Sequence, residues 1–356
     1  MFKNERQQAI VRALQESGSV RVAELAEMLK SSRATIWRDI DELGRRGVVS
    51  KVHGGATLTH PLPTGGTVQQ SLELAPPQPG LVIGLQVPES LYYFGPIITG
   101  AKRACELAGA ELKVGISGYQ DDDIREEAAI LHEAGVDGLL LTPSFAPSKV
   151  EETCRWITDL DLPVVLVERE SPGLGIPGAR TVSTSREAGT HAAMAHLKLL
   201  GHENVGLISV NERVEPMRRV IDGWQIACRD LGLNTELTEP PLWIADDSKE
   251  LVDAIVDSGI TGVLCMNDAL ASRLLRHFRR RGIEIPKHLS LIAFDDEIAE
   301  HLEPPLTAVS PERETVGFVA VQQALAMLSN GDPGPGRRLT IDPTLVIMES
   351  TAAPAG

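Results

Sequence analysis

The 356-residue sequence predicts an α/β protein in three pieces: a small winged helix-turn-helix head, a linker, and a two-lobed body of parallel sheets. Three observations lead there. Residues 1–57 show short helical stripes closed by a strand and a glycine turn. Residues 58–80 lose all periodicity, and from residue 81 short β-rich runs alternate with amphipathic stretches in two successive sets.

In the head, Ile10, Ala13 and Leu14 recur at helical spacing until Gly18, and Val22, Leu25, Ala26 and Leu29 make a second stripe. The third follows Ser32, which reads as an N-cap. Ile36, Ile40 and Leu43 share one face at i, i+4 and i+7, and Gly47 closes the segment. VVSKV followed by His53, Gly54 and Gly55 has the length of one strand and a turn, a wing beside the third helix. The Pro- and Gly-rich stretch over 58–80 reads as a linker. In the body, LVIGLQV, LKVGIS, VDGLLLT and PVVLVE alternate with helices expected over 96–108, 123–134 and 147–159. After an irregular loop, helices over 186–200, 215–231, 248–258 and 268–281 are interleaved with VGLIS, TGVLCM and LSLIAF. Such alternation implies parallel sheets covered on both faces, in two Rossmann-like lobes with a cleft where the strand ends face each other. The expected division gives lobe 1 residues 81–180 and 307–332, and lobe 2 residues 181–306 and 333–352.

Composition narrows the function. The chain is 42% hydrophobic and 23% charged, and no apolar run approaches the roughly 18 residues that span a bilayer, which excludes a helical membrane transporter. The N-terminus, MFKNERQQAIVRALQESG, lacks the basic start, apolar stretch and cleavage site of a secretory signal, so a cytoplasmic protein is expected. Cys105, Cys154, Cys228 and Cys265 are widely spaced and read as reduced thiols. No Walker loop, nucleophile elbow or HExxH motif occurs. Asp295 and Asp296 are adjacent at a strand end and point to opposite faces, which does not suit acid–base work on one atom. The expectation is a non-enzyme without cofactor or metal. Net charge is −15, yet residues 1–60 hold ten Lys or Arg against seven Asp or Glu, a net of +3 that leaves −18 on the remainder. An acidic body is repelled by a phosphate backbone, so contact with DNA falls to the head.

On a helical wheel Arg38 lies opposite the Ile36, Ile40, Leu43 stripe, with Ala34 and Arg45 outward and Arg33, Thr35 and Trp37 on the flanks. A recognition helix places such groups in the major groove, where arginine bonds guanine O6 and N7 together. The segment SRATIWRDIDELGRRGVVSKVHGGA resembles the DeoR family of bacterial winged-helix regulators, and the likeness runs over residues 3–57. It implies that Ser32, Arg33, Thr35, Trp37, Arg38, Lys51 and His53 form the DNA face. Trp37 stands where the family has the first arginine of a pair, and Lys51 where it has the wing arginine. Trp37 either faces DNA or packs against the first helix; His53 either meets the DNA backbone or caps the wing turn.

The body resembles the sugar-sensing domain of the LacI/GalR regulators through VDGLLLTPS, LPVVLVER, LKLLGHENVGLIS, MNDALASRLL, IPKHLSLIAFDD and PPLTAV, in that order. The resemblance implies a type I periplasmic-binding-protein-like fold whose lobes close on a small ligand. It places Tyr93 and Phe94 against a sugar ring, with Glu168, Arg169, Asn267 and Asp295 supplying polar contacts at strand ends. Asp268 and Asp296 are expected to cap helices. The family's arginine three residues before a Gly-aromatic pair is Val220 here, ahead of Gly223 and Trp224, so Arg219 or Arg218 is expected to substitute; Glu168 stands where the family has Asp. The function implied is a sugar-responsive transcription regulator, a repressor by default, that dimerises through its body and binds a double-stranded operator. The alternatives are a body that only dimerises and a sugar-binding module.

Overall fold

The computed structural model describes residues 6, 10, 13, 19–45, 49–52, 55–58, 79–170, 176, 178–210, 215–234, 242–244, 248–330 and 336–354. They belong to two compact units, residues 1–73 and 74–356, whose boundary falls inside the Pro/Gly-rich stretch. Residues 59–78 of the expected linker, and Leu14, Gly18 and Gly47, lie outside the described residues.

In the head, β1 (Ser19–Arg21), α1 (Val22–Met28), α2 (Arg33–Arg45), β2 (Val49–Val52) and β3 (Gly55–Leu58) follow in order. The stripes read from the sequence meet in one core: Ile10, Ala13, Val22, Leu25, Ile36 and Ile40 are buried together with Val20. β2 and β3 pair antiparallel as the wing, and β1, which the sequence did not announce, joins the free edge of β3.

The body holds two six-stranded sheets. The first runs β5 (Glu111–Ile116), β4 (Val82–Val87), β6 (Gly138–Leu141), β7 (Val164–Val167), β8 (Arg180–Thr184), β14 (Arg338–Ile341). The second repeats that order with β10 (Leu242–Ile244), β9 (Val205–Val210), β11 (Gly262–Cys265), β12 (Ser290–Phe294), β13 (Thr307–Ser310), β15 (Thr344–Val346). All pairings in both sheets are parallel except that of β13 with β15. β6, β7 and β11, every residue of which is buried and none polar, are the continuous hydrophobic runs that a doubly covered parallel strand requires. The helices are α3 (Gly95–Ala108), α4 (Asp121–Glu133), α5 (Val150–Thr158), α6 (Arg186–Leu199), α7 (Glu215–Leu231), α8 (Ser248–Asp257), α9 (Asp268–Arg280) and α10 (Arg313–Asn330). Each of the first seven lies within three residues of its expected bounds at either end.

The expected lobe limits need correcting. β8 and β14 lie in the first sheet, not in lobe 2, and β13 lies in the second sheet, not in lobe 1. The chain therefore passes between lobes three times: from β8 to α6, from β13 to α10, and from β14 to β15. A strand's hydrophobic run states that it is buried but not which sheet it joins. The cysteines are free thiols, with Cys105, Cys228 and Cys265 buried. Buried His202 is a core histidine, sharing hydrogen bonds with Thr261 (2.9 Å) and Ser290 (3.0 Å).

Candidate functional site

In the head, α2 is capped as its sequence dictates. The Ser32 hydroxyl accepts the Thr35 N–H at 3.2 Å and shares a 2.8 Å bond with the Thr35 hydroxyl, so two of the expected DNA-facing groups fix each other at the helix start. Arg33 and Arg38 are exposed, while Ile36 and Ile40 are fully buried. Neighbouring Asp39 faces inward: Arg6 binds its carboxylate through Nε (2.5 Å) and Nη2 (3.2 Å), which ties Arg6 to α2 and sets Arg38 outward. Trp37 is half-buried against the core, so it packs as well as flanking the outer face. Lys51 lies in β2 opposite Ala56. Its side chain and all of His53 lie outside the described residues.

In the body, a cavity of about 430 Å³ opens between the C-terminal ends of the two sheets. One wall comes from the loop after β4. The Glu89 carboxylate there accepts four backbone N–H groups, from Leu91 (2.7 Å), Tyr92 (2.7 Å), Tyr93 (2.8 Å) and Phe94 (3.0 Å). That nest curls residues 90–94 tightly and presents three successive rings to the cavity. The Tyr93 and Phe94 rings meet edge to face, with centroids 5.2 Å apart. Tyr92 reaches across the lobes and donates its hydroxyl to Asp268, which also accepts the Ala299 N–H at 3.1 Å. Asp268 is therefore a lobe-to-lobe acceptor and not a helix cap. The cap of α9 is Asn267, whose Oδ1 takes the Leu270 N–H at 2.7 Å, so the group it can offer the cavity is its amide N–H. Asp296 likewise caps nothing; with Glu297 it pairs with Arg313, at 2.7 and 2.6 Å.

The two lobes place a carboxylate at equivalent positions, Glu168 after β7 and Asp295 after β12, both in left-handed backbone (φ 56° and 68°) that a non-glycine residue adopts only under constraint. Their roles differ. Glu168 is fully buried and does not line the cavity: it accepts the Thr184 hydroxyl at 2.7 Å and pairs with Arg186 at 2.8 Å. Burial alone raises this carboxyl, but Arg186 and the Thr184 bonds outweigh it and hold it below its usual range. The expected ligand contact from Glu168 is thus replaced by a supporting one, because its acceptors are spent on Arg186 and Thr184. Arg186 lines the cavity beside Arg169, and it also donates to the Tyr93 hydroxyl at 3.4 Å. Neither expected substitute does so: Arg219 is engaged by Glu187 (3.0 Å) and Glu170, and Arg218 is exposed. Sequence reasoning misses Arg186 because the stretch after PVVLVE reads as irregular loop; as a strand, RTVST puts Arg186 just past its end. Of the expected ligand set, Tyr93, Phe94, Arg169, Asn267 and Asp295 line the cavity.

Burial pushes the Asp295 carboxyl up to about 8, against the pull of Arg186 and Arg313. A folded-state value above the unfolded one means that the group's contribution is complete below about 4 and lost as pH rises towards 8. Asp295→Asn removes that titration and keeps a residue that tolerates left-handed backbone. The variant should be more stable than the parent at pH 8 by roughly 1–3 kcal/mol and so melt higher, with the gap closing towards pH 5. An equal gap at both pH values in thermal melts would refute this reading of Asp295.

A DeoR-like helix-turn-helix domain model matches residues 6–61, and a periplasmic binding protein-like domain model matches residues 194–351. The chain is 28% identical to the HTH-type transcriptional regulator MalR of Streptomyces coelicolor over 248 residues, covering 67% of this chain and 70% of that one. Among solved structures, a LacI family transcriptional regulator from Enterococcus faecium with bound ribose superposes with TM-score 0.61 at 22% identity, over 76% of this chain and 99% of that one. The dimeric Lac repressor superposes with TM-score 0.65 at 21% identity, over 77% of this chain and 100% of that one. No helix among the described residues is long and apolar enough to cross a membrane. The chain joins a DeoR-like helix-turn-helix domain to a periplasmic-binding-protein-like body, and the relatives it matches are HTH-type transcriptional regulators.

Proposed function

We propose that this regulator is a cytoplasmic, homodimeric repressor without enzymatic activity, which binds operator DNA through α2 and the wing and responds to a sugar or sugar derivative in the body cavity. The observation that carries the reading is the cavity itself: polar groups and aromatic rings from both lobes converge at the strand ends, in a chain whose other unit is a helix-turn-helix. The ribose bound to the Enterococcus faecium regulator and the dimeric state of the Lac repressor support the ligand class and the assembly. A dimer sets two heads on two half-sites. Ligand shifts DNA affinity only by its differential affinity for the two body conformations, commonly about 1–3 kcal/mol.

The test is fluorescence anisotropy of the full chain on DNA from upstream of its own and neighbouring genes, with and without a panel of sugars. Saturable binding released by one sugar is the expected result; saturable binding that no sugar alters would leave a body that only dimerises. Arg38→Ala should weaken operator binding by about 1–3 kcal/mol and narrow the preference over unrelated DNA. Unchanged operator affinity in that variant would remove α2 from the recognition surface.

A further inference from the structure

One of the two cavity arginines has no close carboxylate among the described residues. Arg186 is matched by Glu168 at 2.8 Å, but Arg169, also lining the cavity and more than nine-tenths buried, has no carboxylate within 4.0 Å among the described residues. Its Nη1 donates to the Glu168 backbone carbonyl at 2.8 Å, and its Nε has no hydrogen-bond partner. The surrounding acids are ill placed to serve it. The Ser144 hydroxyl is bonded to Asp121, burial pushes the Asp295 carboxyl up to about 8, and burial also raises Glu215. Burial depresses the Arg169 guanidinium, as does the like charge of Arg186, against the more distant pull of Glu215 and Glu168. A buried cation with no carboxylate at ion-pair distance and an unpaired N–H is costly, and a bound anion would offset that cost.

We propose that the effector is an anionic sugar, one carrying a carboxylate or a phosphate, with Arg169 as its counter-charge and the rings of Tyr93 and Phe94 against its apolar face. The proposal rests on the cavity being the effector site. A guanidinium suits both anions because its N–H groups match their paired oxygens, and the unused Nε–H is one such donor.

Isothermal titration of the full-length protein with matched pairs tests this: D-ribose and D-ribose 5-phosphate, D-glucose and D-gluconate, D-galactose and D-galacturonate. At least one acidic member should bind about tenfold or more tighter than its neutral partner. Phosphate against carboxylate arms then identify the anion. Arg169→Gln should abolish that preference, and without ligand it should melt no lower than the parent, since the charge removed has no ionic partner to lose. A neutral sugar binding as tightly as its acid would overturn the anionic effector and leave the cavity reading standing. No binding by either member of any pair would overturn both. A lower melting temperature for ligand-free Arg169→Gln would make Arg169 a structural residue and overturn the proposal.

Discussion

Replacing Arg186 by methionine should destabilise the body by about 3–5 kcal/mol at neutral pH, the largest single effect expected in this chain. Glu168 has no exposed surface, and Arg186 is its ionic partner at 2.8 Å. Without it the carboxylate keeps the Thr184 hydroxyl and a 3.3 Å bond from the Thr184 N–H, which do not offset the desolvated charge. In the parent, Glu168 titrates below its usual range, so its contribution is present above about 4.5 and lost only as pH falls through the depressed folded value. In the variant the carboxyl is raised instead, so its cost grows as pH rises. The difference between variant and parent should therefore shrink as pH falls below about 5. Adding Glu168→Gln to Arg186→Met should recover much of the loss, since a neutral amide needs no counter-charge. Chemical denaturation of the parent, the two single variants Arg186→Met and Glu168→Gln, and the double variant at two pH values measures the whole cycle. A cost that is independent of pH, or a double variant as unstable as the single, would show that packing and not charge holds this pair.

The second large effect lies at the crossing of α3 and α10, the helices that cover one face of the first sheet. At their closest approach Gly100 faces the Glu314 carbonyl and Gly317 faces the Ile97 carbonyl, so the two backbones touch. A Cβ at either position would fall far inside 3.0 Å of a backbone oxygen, and backbone cannot rotate aside as a side chain can. Gly317→Ala should cost about 3 kcal/mol, although alanine is the better helix former by about 1 kcal/mol. The effect reaches function as well. α10 begins at Arg313, which pairs with Asp296 and Glu297 of the other lobe and lies over the Tyr93 ring at 5.5 Å, so separating the helices would shift the cavity wall. Ligand binding should weaken in the same variant. An unchanged melting temperature in Gly317→Ala would contradict this close approach.

Hydrophobic period fixed most helices to within a few residues, because amphipathic spacing is local and does not depend on what the helix packs against. The capping serine, the outward Arg38 and the buried Ile36 and Ile40 were legible for the same reason. Among the cavity-lining residues, Arg169, Asn267 and Asp295 are legible because each sits just past a strand that reads as an apolar run, whereas Tyr93 and Phe94 rest on the family resemblance. β8, β10, β14 and β15 carry weaker runs or mix charged with apolar residues, and with β8 unread Arg186 had no strand end to mark it.

By itself, then, the sequence determined the two units, the helix-turn-helix, the parallel α/β body and most of the strand ends that face the cavity. Only the tertiary structure decided which sheet each late strand joins, that Asn267 and not Asp268 caps α9, and that Glu168 turns inward to hold Arg186. Burial pattern and capping chemistry are written within a few residues of each other, whereas sheet membership and ion pairing join residues far apart in the chain. Those choices are settled by which packed arrangement leaves the fewest buried charges and backbone groups unmatched.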